Sequence, residues 1–224
     1  MKPMQLSRLL QLASPALPVG AYTYSQGLEW AVEAGSVRDE ASASQWIADL
    51  LEWNLGRFEA PLLARLLAAC RSAEDLAPLN EMFLASRETS ELRAETVQMG
   101  YSMTRLLGEL DDFPRSALGA LHALDQPSFP AAWACAAVAW DIDDESALTA
   151  YLWSWAENQV MAALKAGPLG QAAGQRVLLA LGARIPAVVE HALTLDTADM
   201  SNFAPGFAIA CSRHETQYSR LFRS

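Results

Sequence analysis

Apolar residues return along this chain at helical spacing, and no stretch alternates every second residue as a half-buried strand would. Trp46, Ile47, Leu50, Leu51 and Trp53 share one stripe. The Gly56 to Pro61 stretch is expected to break or kink that helix before Leu62, since proline cannot donate to the ladder, so two helices are predicted there. Leu92, Thr96, Met99, Met103, Leu106 and Leu110 recur at steps of four and three, the seam of a long helix packed lengthwise on a partner. From Asp144 to Ala166 acids come first, then Leu148, Tyr151, Leu152 and Trp155 at i, i+3, i+4 and i+7, then Lys165, Gly167 and Pro168. Start, stripe and stop agree on one helix. The pattern is helical again from Gly170 to about Pro186, and Phe207 to Leu221 reads as a last amphipathic helix. Ala and Leu dominate and β-branched residues are sparse. The expectation is an all-α, single-domain bundle of about eight to ten helices over residues 1–224.

Composition narrows the class. With 224 residues, 52% hydrophobic and 19% charged, the chain can bury a sizeable core and does not have the make-up of a disordered protein. No internal repeat or low-complexity linker divides it. A formal charge of −10 opposes a phosphate backbone, so nucleic acid is excluded as a partner. Three widely spaced cysteines, Cys70, Cys135 and Cys211, offer neither a disulfide framework nor a paired zinc motif, which fits a reducing, cytoplasmic home. The uncharged run Leu9 to Leu28 reaches spanning length, but Pro15, Pro18, Gly20 and Gly27 interrupt it, so no membrane span is expected. Lys2 and Arg8 precede too short an apolar stretch for a signal peptide.

Catalytic and metal motifs fail on their spacing. A calcium loop starting at Asp141 needs Gly and Glu where Ser146 and Leu152 stand, so these acids read as the start of a helix. Ser25 lacks the first glycine and the strand of a nucleophile elbow. Gly170 and Gly174 precede no Lys-Ser or Lys-Thr pair, which removes a phosphate loop. Cys211 and His214, three apart, are the weak metal candidates, yet they fall on the apolar stripe of Phe207, Ala210, Tyr218 and Leu221, which points to a core or interface role. An all-α enzyme would need a polar pocket with at least two displaced pKa values, to which His122, His191 and His214 could contribute if they converge. The last fourteen residues carry Arg213, Arg220 and Arg223 against Glu215, a balance of +2 on a chain of −10. With Tyr218, Leu221 and Phe222 interleaved, the segment has the residue types of a docking tail. Lys165 either complements its helix end, worth about 0.3–1 kcal/mol, or displays a cation to a partner.

Leu10 to Gly20 runs into Tyr24-Ser25-Gln26-Gly27-Leu28-Glu29; further motifs are Pro168-Leu169-Gly170-Gln171 with Gly174-Gln175, Arg213-His214-Glu215-Thr216-Gln217, and Arg87 to Ser90 with Arg93, Gln98 and Gly100. Together these four stretches resemble the UreF family of urease accessory proteins. Lys165 departs from the arginine expected before the Pro-Leu-Gly-Gln turn, which keeps the cation but loses bidentate carboxylate recognition.

The resemblance implies a non-enzymatic, all-helical maturation chaperone of the cytoplasm. Such a protein dimerises and joins UreD (also called UreH) to the GTPase UreG, so that nickel reaches urease apoprotein, and it holds no stable cofactor of its own. It also implies that the N-terminal segment 1–28 and the C-terminal tail 212–224 dock partners. The partner-binding candidates are Lys165, Pro168, Gly170, Gln171 and Gln175, with Arg213, His214, Glu215, Gln217, Tyr218, Arg220, Leu221, Phe222 and Arg223. The alternatives are a nickel-binding helical carrier using Cys211 and His214, or an all-α enzyme.

Overall fold

A computed structural model describes residues 1–224, and every regular element in it is helical. The α-helices are α1 (Pro3–Ala13), α2 (Leu28–Glu33), α3 (Glu40–Asp49), α4 (Ala60–Ser72), α5 (Ala77–Ala85), α6 (Ser90–Gly108), α7 (Arg115–His122), α8 (Phe129–Ala139), α9 (Asp144–Ala166), α10 (Gln171–Gly182), α11 (Ile185–Thr194) and α12 (Pro205–His214). A π-helical segment, Leu50–Glu59, joins α3 to α4. Counted with α3 through α4 as one rod and α10 with α11, across the turn at 183–184, as another, they make ten helices in one domain.

Side chains that accept from orphan helix N–H groups set several of the starts. Asp39 accepts from Ser42 N at 2.9 Å, Thr89 from Leu92 N at 3.2 Å and Asp143 from Ser146 N at 2.8 Å. The acids near residue 143 therefore serve the start of α9, whose boundaries match the sequence reading. That helix stops at Gly167, whose φ of 104° suits a residue without Cβ.

The predicted break before Leu62 does not occur. The chain stays helical from Glu40 to Ser72, and Ala60 N donates to Leu55 O, five residues back. The widened turn absorbs Pro61, which has no N–H to place. Gly56 inside it lies where a Cβ would come within 2.9 Å of Val188 Cγ1, so α11 packs directly on the widened turn. Pro186 begins α11 instead of ending the preceding helix, because a first-turn proline costs no hydrogen bond. The pair α10–α11 is long and apolar enough to cross a membrane by composition, yet Arg176 and Arg184 pair with Glu40 and Glu52 of the α3 rod.

At the centre, α8 is buried continuously from Phe129 to Ala137, with α6 on one side and α4 on the other. Alanines on α8 allow close approach, and Gly100 of α6 takes it further: a Cβ there would lie 2.0 Å from Pro127 O. The α6 seam is buried at Leu92, Thr96, Met99 and Met103, then drifts to Leu107, while Leu106 is half-buried and Leu110 lies past the helix end. A straight helix drifts in this way relative to a seven-residue repeat. Trp133 anchors an aromatic cluster, 5.2 Å from Tyr151 and 5.8 Å from Phe129 between ring centroids. The long α9 crosses this centre; the chain's N-terminal helix is tied by Gln5 to Asp141 just before the start of α9, whose last turn, with Lys165, meets the C-terminal segment.

Candidate functional site

The C-terminal segment does not continue the last helix to Leu221; α12 ends at His214. At that point the side chains find better partners across the fold than along a helix. Glu215 accepts from Ser90 Oγ at 2.6 Å and from Glu91 N at 3.1 Å, capping the start of α6. These donors, the Ser90 hydroxyl foremost, hold its carboxyl below the usual range. The expected stripe is therefore split. Phe207, Ala210, Cys211 and His214 are buried, whereas Tyr218 and Leu221 are exposed.

His214 is the centre of a polar cluster and is fully buried. Its Nδ1 lies 2.7 Å from Glu91 Oε2 and its Nε2 3.3 Å from Glu29 Oε2. Glu29 also accepts from the main-chain N–H of Leu221 at 2.7 Å and of Phe222 at 3.0 Å, and Arg220 pairs with Glu91. Farther on, the Ser224 carbonyl accepts from Ser25 N at 2.6 Å, Gln26 N at 3.0 Å and Ser25 Oγ at 2.6 Å. Ser25, set aside as a nucleophile, fastens two chain segments. Gly27 permits the approach of α2 to α12: its φ is 75°, and a Cβ would meet Cys211 N at 2.9 Å.

Lys165 joins the same place from α9. Its Nζ donates to Leu221 O at 3.3 Å and lies 4.3 Å from the centre of the buried Phe222 ring. Three of the resembling stretches, around Ser25, Ser90 and His214, thus meet with Lys165 around one folded-back segment. His214 and Phe222 face inward; Arg213, Tyr218, Arg220, Leu221 and Arg223 face outward; Glu215 and Gln217 are half-buried. The Pro168 to Gln175 stretch stands apart. Leu169 anchors it, Pro168 is half-buried, and Gly170, Gln171 and Gln175 are exposed. Gly174 packs its α10 turn on α9, a Cβ there being 3.2 Å from Val160 Cγ1. No hydrogen bond links this stretch to the tail, and Lys165 is the nearest connection.

A cavity of about 170 Å³, which the tail reaches only through the bond of Ser224 to Glu95, is walled on one side by Leu12, Pro15, Leu17 and Val19 of the N-terminal segment. Its floor is polar. Arg87 pairs with Glu59 at 3.2 Å, and Tyr151 Oη donates to Glu59 Oε1 at 2.5 Å. Glu95 accepts from Gln26 Nε2 and from Ser224 Oγ, each at 2.7 Å, and Trp155 Nε1 donates to Gln26 Oε1 at 2.7 Å. Burial, only partly offset by these donors, pushes the Glu95 carboxyl up to about 7, and burial likewise raises the Tyr151 phenol.

The metal candidates occupy the edge of this cluster. Cys211 is buried and its thiol is pushed up by that burial, while His214 would have to give up a carboxylate to reach a metal. His122, His191 and His214 lie on α7, α11 and α12 and do not converge, His122 being exposed. Glu29, Glu59, Glu91 and Glu95 were missed as a group because they come from α2, the π segment and α6. Glu29 was at hand as the last residue of the Tyr24 to Glu29 stretch, but its partners lie 185 or more residues away.

Comparison with known proteins places this arrangement. The family model described as UreF matches residues 37–182. The chain belongs to the UreF family. The urease accessory protein UreF of Azoarcus sp. (strain BH72) is 68% identical over 99% of this chain and 96% of its own length. Its counterpart from Dechloromonas aromatica (strain RCB) is 62% identical over 99% of this chain and 98% of its own. The bifunctional urease accessory protein UreEF of Bordetella bronchiseptica is 49% identical over 98% of this chain, which spans 52% of that longer protein. The UreF resemblance read from four short stretches thus extends over the whole chain, and it supports a role in urease maturation.

Proposed function

We propose that the chain is a non-enzymatic maturation chaperone of the cytoplasm that dimerises and bridges UreD (UreH) and the GTPase UreG, so that nickel reaches urease apoprotein. Nickel is cargo of the assembly here, with no stable cofactor on this chain, and neither nucleic acid nor membrane is a partner. The observation that carries the reading is the folded-back C-terminal segment. Its inward residues fix the backbone, so Tyr218, Arg220, Leu221 and Arg223 are presented on a held surface instead of a loose tail. Aromatic and arginine side chains on an ordered backbone are what a protein interface uses as anchors, with little ordering entropy left to lose. UreD is the occupant proposed for this face. Lys165 with Gln171 and Gln175 is proposed to meet UreG and to tie its GTP hydrolysis to completion of the complex. The Bordetella fusion, in which a UreF-like part is joined to a second accessory part, supports work inside a multi-protein assembly.

The test is co-expression of the tagged full chain with UreD, UreG and urease apoprotein, reading both capture and urease activity. Capture of UreD and UreG, with activity lost when the chain is omitted, is expected. Full activity without the chain contradicts the proposal.

The floor of the cavity favours a second reading, an all-α enzyme, because Glu95 and Tyr151 both have displaced pKa values. Their hydrogen bonds go to one another's neighbours, Gln26, Ser224 and Glu59, which is the pattern of a structural network. Glu95→Gln separates the two: a chaperone keeps urease maturation near wild type, whereas an enzyme loses it without losing UreD capture.

A further inference from the structure

Two thiols outside this site face each other across the central helix pair. Cys70 is on α4 and Cys135 on α8, and their Sγ atoms are 3.4 Å apart. Both are free; Cys135 is buried and Cys70 half-buried, so solvent reaches the pair from the Cys70 side. Cys211, the third cysteine, is buried on α12. We propose that Cys70 and Cys135 form a reversible dithiol–disulfide pair, a modification site in which Cys70 reacts first and Cys135 resolves.

The surroundings of the two sulfurs differ in the sense this order requires. The two thiols share one hydrogen bond in which either sulfur can donate, and that contact with Cys135, together with the Arg71 guanidinium, favours the Cys70 thiolate against the cost of burial. The neighbouring Cys70 and burial raise the Cys135 thiol, and Cys135 is also the sulfur that solvent does not reach. A thiolate is the attacking species in disulfide exchange, and accessibility decides which of two thiols is modified first. The Sγ–Sγ separation of 3.4 Å must close to about 2.05 Å, a movement shared between two side chains.

The oxidant is a low-molecular-weight disulfide, RSSR. The Cys70 thiolate attacks one of its sulfurs, the reagent S–S bond breaks, and one RS⁻ leaves and takes up the proton that Cys70 gave up. Cys135 then loses its proton and attacks Cys70 Sγ, and the second RS⁻ leaves as RSH. The protein loses two hydrogens and two electrons, and the reagent gains them as two RSH. The new bond ties residues 65 apart. It pins α4, which follows Glu59, to α8, which carries Phe129 and Trp133, so two walls of the cavity become linked.

The experiment equilibrates the purified full chain in glutathione buffers of stepped oxidised-to-reduced ratio, blocks remaining thiols by alkylation and maps peptides without reduction. The expected result is a Cys70–Cys135 linked peptide with Cys211 still alkylated, and a Tm raised by roughly 5–15 °C for the oxidised chain. Cys135→Ser should stop at a glutathione adduct on Cys70, and Cys70→Ser should take up none at Cys135. No linked peptide in the fully oxidised buffer would overturn the proposal for the wild-type chain itself. Adduct formation on Cys135 in Cys70→Ser, as fast as on Cys70 in Cys135→Ser, would overturn the order of reaction.

Discussion

The contact between α4 and α8 and the seam that holds the C-terminal segment are both buried, but opposite chemistry holds them. Around α8 the surfaces are alanine, leucine and aromatic rings, and Trp133 is wholly enclosed. In the seam Glu29, Glu91, Arg220 and His214 share hydrogen bonds with one another and with main-chain N–H groups. Apolar contact tolerates many partners of suitable volume, whereas a buried carboxylate costs free energy unless each donor is placed. The core therefore supplies stability, and the seam specifies where one particular segment lies.

Perturbing the two regions should have different consequences. Trp133→Ala empties the largest enclosed position and is expected to destabilise the whole fold by about 3–5 kcal/mol, read as one cooperative shift in urea unfolding. Next comes the pH dependence of Glu95. Its carboxyl, raised from 4.5 to about 7 chiefly by burial, keeps a proton in the folded chain that the unfolded chain has released. Stability from this group is full below about pH 4.5 and falls as pH rises through about 7, by on the order of 3 kcal/mol. Glu95→Gln should remove that slope relative to wild type in unfolding series between these pH values; identical slopes would refute the account of Glu95.

Glu29→Ala should act locally. It leaves the N–H groups of Leu221 and Phe222 without their acceptor, costing about 1–3 kcal/mol, most of it in release of the tail. Faster amide exchange after His214 and trypsin cleavage at Arg213, Arg220 and Arg223 should appear, with helical circular dichroism retained. Asp143→Ala, which removes the cap of α9, should cost about 1 kcal/mol by the same unfolding measurement. Arg176→Ala breaks an exposed pair with Glu40 and should change stability by about 1 kcal/mol or less.

The same contrast explains what the sequence made legible. Helix α9 was readable end to end because its acids, stripe and Lys165 lie within its 23 residues and Gly167 follows directly. The α6 seam was readable for similar reasons until its drift to Leu107. The π segment was not, because Gly56 and Pro61 are compatible with either a break or a widened turn, and contact with Val188 favours the latter. Nor was the end of α12. Phe207 to Leu221 has a helical stripe, but Glu215 capping α6 and Glu29 receiving Leu221 and Phe222 are long-range bonds with no trace in local periodicity. Of the site, the stretches around Ser25, Ser90, His214 and Lys165 were named and do meet. The carboxylates that unite them were not named, since single glutamates on separate helices look like solvated positions until the fold brings them together.

The central claim is that a held C-terminal face docks UreD, and it is tested most directly by a surface variant that leaves the seam intact. Tyr218→Ala with Leu221→Ala alters two exposed side chains and spares every hydrogen bond of Glu29, His214 and Glu91. The account predicts at least a tenfold loss of UreD co-purification with unchanged Tm and unchanged amide protection after His214. Wild-type capture of UreD by this double variant would contradict it.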